Sequence, residues 1–131
     1  MSPGYPTFPL RRGDVYMVKL PYTEKPNTEE PHPALILQDE KLNKGRVPFT
    51  VVAYGTSSTD YFKDPFALPV DPSQSLKLTL RTFFLAHRLH AIDKDKYLAG
   101  TLFLGRLPKA LMDRFDELLV LSLQIGEYRD K

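Results

Sequence analysis

Pro31-His32-Pro33-Ala34-Leu35-Ile36-Leu37 and Thr50-Val51-Val52-Ala53-Tyr54-Gly55-Thr56-Ser57-Ser58 are the stretches on which the reading of this chain turns. Each holds a short continuous apolar run bounded by proline or glycine, the pattern of a buried strand. The first strand begins at His32. The second ends in a run of hydroxyls, Thr56 to Thr59. If the two are antiparallel neighbours, the start of one lies beside the end of the other. An imidazole, several hydroxyls and backbone N–H groups then share one rim of a sheet. Polar groups held at the rim of rigid strands suit a phosphate or RNA site.

Outward from this pair, the chain is punctuated by 12 prolines, which favours short elements joined by turns. Residues 1–10 read as an extended arm. Arg12-Gly13-Asp14 is a turn and residues 15–20 a strand. Residues 21–31 form a polar loop and residues 39–48 a basic one. Residues 66–70 alternate, but Pro69 places them at a sheet edge. Residues 76–80 alternate as a strand would, residues 82–89 form a further strand, and residues 100–107 a last short one. Leu111, Met112, Phe115, Leu118, Leu119 and Ser122 recur at helical spacing, so a helix is expected over 108–124. Pro108 suits its first position, and Gly126 its stop. Many short strands and one C-terminal helix give a mainly β chain, a small bent sheet or barrel capped by a helix.

The 131 residues fit one domain with a single core. A net charge of +2 exerts no global pull on nucleic acid, so any electrostatic footprint is local. The absence of cysteine excludes thiol chemistry, disulfides and cysteine-based metal sites, and fits a cytoplasmic protein. No apolar run approaches the roughly 18 residues of a membrane span, and the N-terminus does not read as a secretory signal.

The order of these pieces resembles the PemK/MazF family of toxins from bacterial toxin–antitoxin systems. Arg12-Gly13-Asp14-Val15-Tyr16-Met17-Val18 is similar to that family's opening strand. Leu20-Pro21-Tyr22-Thr23 resembles the segment after it. His32-Pro33-Ala34-Leu35-Ile36-Leu37 and Val51-Val52-Ala53-Tyr54-Gly55-Thr56-Ser57 sit at the family's next two strands. His87-Arg88-Leu89-His90-Ala91-Ile92-Asp93-Lys94 and Leu104-Gly105-Arg106-Leu107 match two later motifs. Together they span about 95 residues. The resemblance implies an SH3-like barrel with a C-terminal helix, a homodimer, and an endoribonuclease that cuts single-stranded RNA and is neutralised by a small antitoxin protein. No His/Asp/Glu spacing in the chain makes a metal centre, and no cofactor is expected. The family's active arginine is His32 here, while its hydroxyl partner is kept as Thr56. A further polar position of some members corresponds to His87.

Metal-free RNA cleavage uses the 2′-hydroxyl as nucleophile and needs acid–base groups with electrostatic stabilisation of the phosphorane. Histidine can move a proton and carry charge near its ordinary pKa, but it lacks the guanidinium fork. The candidate catalytic residues are therefore His32, Thr56 and His87. The candidate RNA contacts are Arg12, Lys41, Lys44, Arg46, Ser57, Ser58, Arg81 and Arg88, with Tyr54 or Tyr61 able to stack a base. Each also has a structural reading. Thr56 to Thr59 suit a turn, the lysines a solvated loop, and His90 the structural side of its strand. Two other functions stay open: a non-catalytic module binding nucleic acid or protein on the same fold, which the lost arginine favours, and a CcdB-like gyrase-directed toxin.

Overall fold

The computed structural model describes residues 10–20 and 30–124. All but Leu10 of the arm expected over residues 1–10, most of the loop at 21–31 and the stop at Gly126 lie outside the described residues. The elements run β1 (Asp14–Val18), β2 (His32–Ile36), α1 (Glu40–Lys44), β3 (Phe49–Thr56), β4 (Ala67–Val70), β5 (Thr82–Asp93), α2 (Lys94–Tyr97), β6 (Phe103–Arg106) and α3 (Lys109–Leu123). The six strands pair antiparallel in the order β4-β5-β3-β2-β1-β6. Pro69 sits in the edge strand β4, where its missing N–H removes no bond from a central ladder.

Adjacent residues along the strands feed two different cores. Val15, Leu35, Ala53 and Phe84 join one cluster with Phe115 and Leu118 of α3. Tyr16, Ile36, Val52 and Leu85 join the other, with Leu98. Both faces of the central strands are thus covered, which is why their sequence is a continuous apolar run rather than an alternation. The helix stripe behaves as expected: Met112, Phe115 and Leu118 are buried. Pro108 stands one position before the helix, its carbonyl accepting from the Met112 N–H. Gln124 ends α3 in the left-handed region at φ 54°, upstream of the expected glycine.

Residues 76–80 form no strand, and burial alternates only as far as Thr79, since Leu80 is exposed. Leu76 makes one bridge to Gly105, the Lys77 N–H donates to the Leu104 carbonyl at 2.8 Å, and the Arg106 N–H reaches the Ser75 carbonyl at 3.4 Å. This segment follows one edge strand and binds the other, so it ties the two ends of the curled sheet, a half-barrel, together. Gly105 permits the approach: its φ is 132°, and a Cβ there would meet the Ser75 carbonyl oxygen at 2.0 Å.

The basic stretch expected as a loop contains α1, with Asp39 capping the Lys41 N–H. Its buried Asn43 joins four segments. Nδ2 donates to the carbonyls of Leu10 and Gln38, each at 3.0 Å, and Oδ1 accepts from Gln38 Nε2 and Thr50 Oγ1, each at 2.8 Å. The Asn43 carbonyl accepts from Lys94 Nζ at 2.7 Å, tying in α2.

Candidate functional site

Strand β2 pairs with β3 through Ala34↔Tyr54, Leu35↔Ala53 and Ile36↔Val52. The ladder ends two residues short of His32 and Thr56, so both lie at the same end of the β2–β3 pair. Gly55 makes the rim tight: a Cβ there would stand 2.8 Å from both Phe84 and the Pro33 carbonyl oxygen. Beside this rim lies a cleft of about 310 Å³. His32, Ser57, Lys77, Thr79 and Thr82 supply its polar lining, with Glu30 at one side and Met17, Leu78 and Leu104 as apolar wall.

His32 is held by aromatic contact. Its ring centroid lies 4.9 Å from that of Tyr54, and the Tyr54 hydroxyl stands 3.3 Å from Nδ1. Arg88 covers the same tyrosine, its guanidinium carbon 4.6 Å from the ring centroid, and NH1 donates to the Tyr61 hydroxyl at 3.5 Å. An irregularity in β5 makes room for this: the pairing jumps from Ala53↔Leu89 to Gly55↔Phe84. Burial pushes the His32 imidazole below its ordinary value of 6.5; the Glu30 carboxylate opposes the fall and Arg88 adds to it. The ring is therefore predominantly neutral at pH 7, a proton acceptor rather than a standing cation.

Thr56 is buried, and its Oγ1 accepts the Ser58 N–H at 3.2 Å. Ser58 Oγ in turn accepts the Asp60 N–H at 3.3 Å, opening the short 3-10 turn Thr59–Tyr61. The Ser58 N–H, expected to face a phosphate, is spent within the chain. Thr56 thus shapes the turn that presents Ser57 to the cleft, and its hydroxyl keeps a hydrogen to donate.

The remaining candidates are dispersed. His87 Nε2 lies 2.6 Å from Asp64 Oδ2, with the Phe66 ring against its edge, and is not part of the cleft lining. Burial alone would raise the Asp64 carboxyl, but the Phe66 N–H and His87 hold it below its ordinary value. Arg12 pairs with Asp116 through both terminal nitrogens, and its Nε donates to the Leu37 carbonyl at 3.0 Å. That clamp fastens the turn before β1 to α3. Lys41, Lys44 and Arg46 precede β3, so the length of the strand, more than about 20 Å, separates them from Thr56. Lys44 pairs with Glu40 at 3.3 Å. Arg81 pairs with Asp71 at 3.2 Å, next to Thr82 of the cleft.

Sequence reading passed over Glu30, Lys77, Thr79 and Thr82. Lys77 falls between two buried leucines, a setting in which a lysine reads as the solvated face of a strand. Only the binding of its segment to β6 brings it to the mouth of β2. Among the described residues no group of three or more histidine, aspartate or glutamate side chains converges as a metal site. No described helix is long and apolar enough to cross a membrane.

The model of the family described as PemK-like, MazF-like toxin of type II toxin-antitoxin system matches residues 11–123. Solved structures share the fold. An endoribonuclease from a mycobacterial species, in complex with its cognate antitoxin, is 22% identical with a TM-score of 0.64, over 88% of this chain and 93% of that one. MazF from Deinococcus radiodurans is 15% identical with a TM-score of 0.69, over 89% and 98%. A MazF toxin of Mycobacterium tuberculosis is 15% identical with a TM-score of 0.66, over 85% and 96%. No curated protein matches the chain. With a family model spanning nearly all of its described residues and a curled antiparallel sheet capped by a C-terminal helix, the chain belongs to the PemK-like, MazF-like toxins of type II toxin–antitoxin systems.

Proposed function

We propose that this protein is a cytoplasmic toxin-type endoribonuclease that cuts single-stranded RNA without a metal. The observation that carries the reading is the cleft beside the β2–β3 rim, whose lining His32 shares with Ser57, Thr79 and Thr82. In this reading His32 takes the proton of the RNA 2′-hydroxyl. The 2′-oxygen–phosphorus bond forms as the phosphorus–5′-oxygen bond breaks, and the departing 5′-oxygen takes a proton from water in the open cleft. The products are a 2′,3′-cyclic phosphate and a 5′-hydroxyl. Thr56, buried and outside the cleft lining, holds the turn, and the Ser57 hydroxyl that this turn presents meets the phosphate.

Relatives of this fold solved with antitoxins bound support a small antitoxin partner. Exposed Leu102 and Phe103, at edge strand β6, support a homodimer. Light scattering at micromolar concentration is expected to give twice the monomer mass; a monomer-sized particle would remove the homodimer from the proposal. The main test is incubation of a long single-stranded RNA with the protein in EDTA. Cleavage by wild type and its loss in His32→Ala are expected. Intact RNA with both wild type and His32→Arg would end the enzyme reading. The exchange of the family arginine for His32 favours a second reading, a toxin fold that keeps only its binding surface. Its signature is silence from wild type together with cutting by His32→Arg.

A further inference from the structure

A neutral His32 leaves the cleft without the positive charge that the family's arginine supplies at this position, and a phosphorane needs one. Arg88 is near, but its guanidinium lies over the Tyr54 ring with NH1 directed to the Tyr61 hydroxyl. Among the described residues, the charged side chains that line the cleft itself are Glu30 and Lys77.

We propose that Lys77 is the phosphate-binding cation of this cleft, contacting the scissile phosphodiester of single-stranded RNA from the wall opposite the β2–β3 rim. Its ammonium thereby replaces, from another segment of the chain, the guanidinium lost at position 32. The inference rests on the endoribonuclease reading above and adds to it a residue from outside the matched motifs.

Three features of the fold support it. The segment is fixed: Leu76 and Leu78 are buried on either side, the Lys77 N–H is bonded to Leu104, and Gly105 admits Ser75 into close contact. The ammonium is available, since among the described residues no carboxylate forms an ion pair with Lys77. The surroundings suit a single phosphodiester, with Ser57 and Thr79 hydroxyls on the same lining and a volume at the lower end of ligand clefts. Glu30 works against an anion here, and among the described lining residues Lys77 carries the ammonium that offsets it. A lysine is a compact point charge on a flexible stem, able to follow the phosphate as charge shifts onto its oxygens.

The test has a binding arm and a cleavage arm. An all-2′-deoxy single strand has no nucleophile and reports binding alone. With Lys77→Met, its affinity is expected to fall about tenfold or more at low salt. The slope of log Kd against log salt is expected to drop by about 0.7, one phosphate contact on a single strand. With an RNA oligonucleotide, Lys77→Met is expected to lower kcat about 10²-fold or more, and Lys77→Arg to keep most of it. In the His32→Arg background the Lys77→Met loss is expected to shrink below about tenfold, because the restored guanidinium carries the charge. Lys77→Gln provides a second neutral variant should the methionine disturb folding, with thermal melting as the check. Wild-type cleavage and binding unchanged by both neutral variants would overturn the proposal and leave the enzyme reading intact. Equal losses in both backgrounds would overturn the replacement of the arginine. A wild type that binds the deoxy strand through Lys77 but cuts no RNA would uphold the phosphate site and end the enzyme reading instead.

Discussion

His32 combines two features that set its pH behaviour. It is half-buried against Tyr54, and the charged groups acting on it, Glu30 and Arg88, pull in opposite directions. With its value held below 6.5, the base is ready at neutral pH, and the acidic limb of kcat/KM is expected to break below pH 6.5. A break above 6.5 would show that Glu30 outweighs burial and Arg88. His32→Ala is expected to lose about 10²–10⁴-fold in rate with little change in melting. Thr56→Val differs, because Oγ1 accepts the Ser58 N–H. Besides slowing cleavage it should cost about 1 kcal/mol of stability. A full rate with lowered melting would give Thr56 a purely structural role. At this scale, the antiparallel β2–β3 pair with His32 and Thr56 at one end was legible from two apolar runs. The Arg88–Tyr54–His32 stack was not, because it depends on the slip in β5 pairing, and bulges leave little trace in residue pattern.

Elements of ordinary length were legible because burial imposes a period on them. The stripe of α3 and the continuous runs of β2 and β3 are examples. The helices α1 and α2, of five and four residues, are too short to show one. What holds α1 is a side-chain network rather than an apolar face. Asn43 uses both amide hydrogens and both lone pairs of Oδ1 in buried or half-buried bonds to Leu10, Gln38 and Thr50. Asn43→Leu removes all of them and leaves buried carbonyls and a hydroxyl without partners. It is expected to destabilise by about 3 kcal/mol or more, read by denaturant midpoint. A loss below about 1 kcal/mol would mean that water replaces the amide. The alternation at residues 76–80 misled in an instructive way: burial of Leu76 and Leu78 produced the strand pattern, while the backbone pairs only at one bridge. The residue between them, Lys77, became visible as part of a site only when the segment after β4 was seen to bind β6.

The whole molecule carries a net charge of only +2, so its response to pH depends on individual groups. Burial holds His32 and His90 below 6.5 in the fold, with Arg88 contributing to both. The unfolded chain therefore binds more protons than the native one as pH falls past 6.5. The stability these neutral rings provide is complete above 6.5 and declines as pH drops from there toward their folded values. Melting temperature is expected to fall between pH 7 and pH 5, with less of a fall in a His32→Gln, His90→Gln variant. An identical decline in that variant would place the acid sensitivity elsewhere.

The central claim, base-catalysed attack by the RNA's own 2′-hydroxyl in the cleft beside His32, is tested most directly by the chemistry of the cut. A single-stranded RNA is cleaved in EDTA, its site mapped, and the same oligonucleotide remade with one 2′-deoxy sugar on the 5′ side of that bond. The account predicts a 2′,3′-cyclic phosphate and a 5′-hydroxyl at the cut, and no cleavage there in the substituted strand. Cleavage that survives the single deoxy substitution, or that yields a 5′-phosphate, would contradict it.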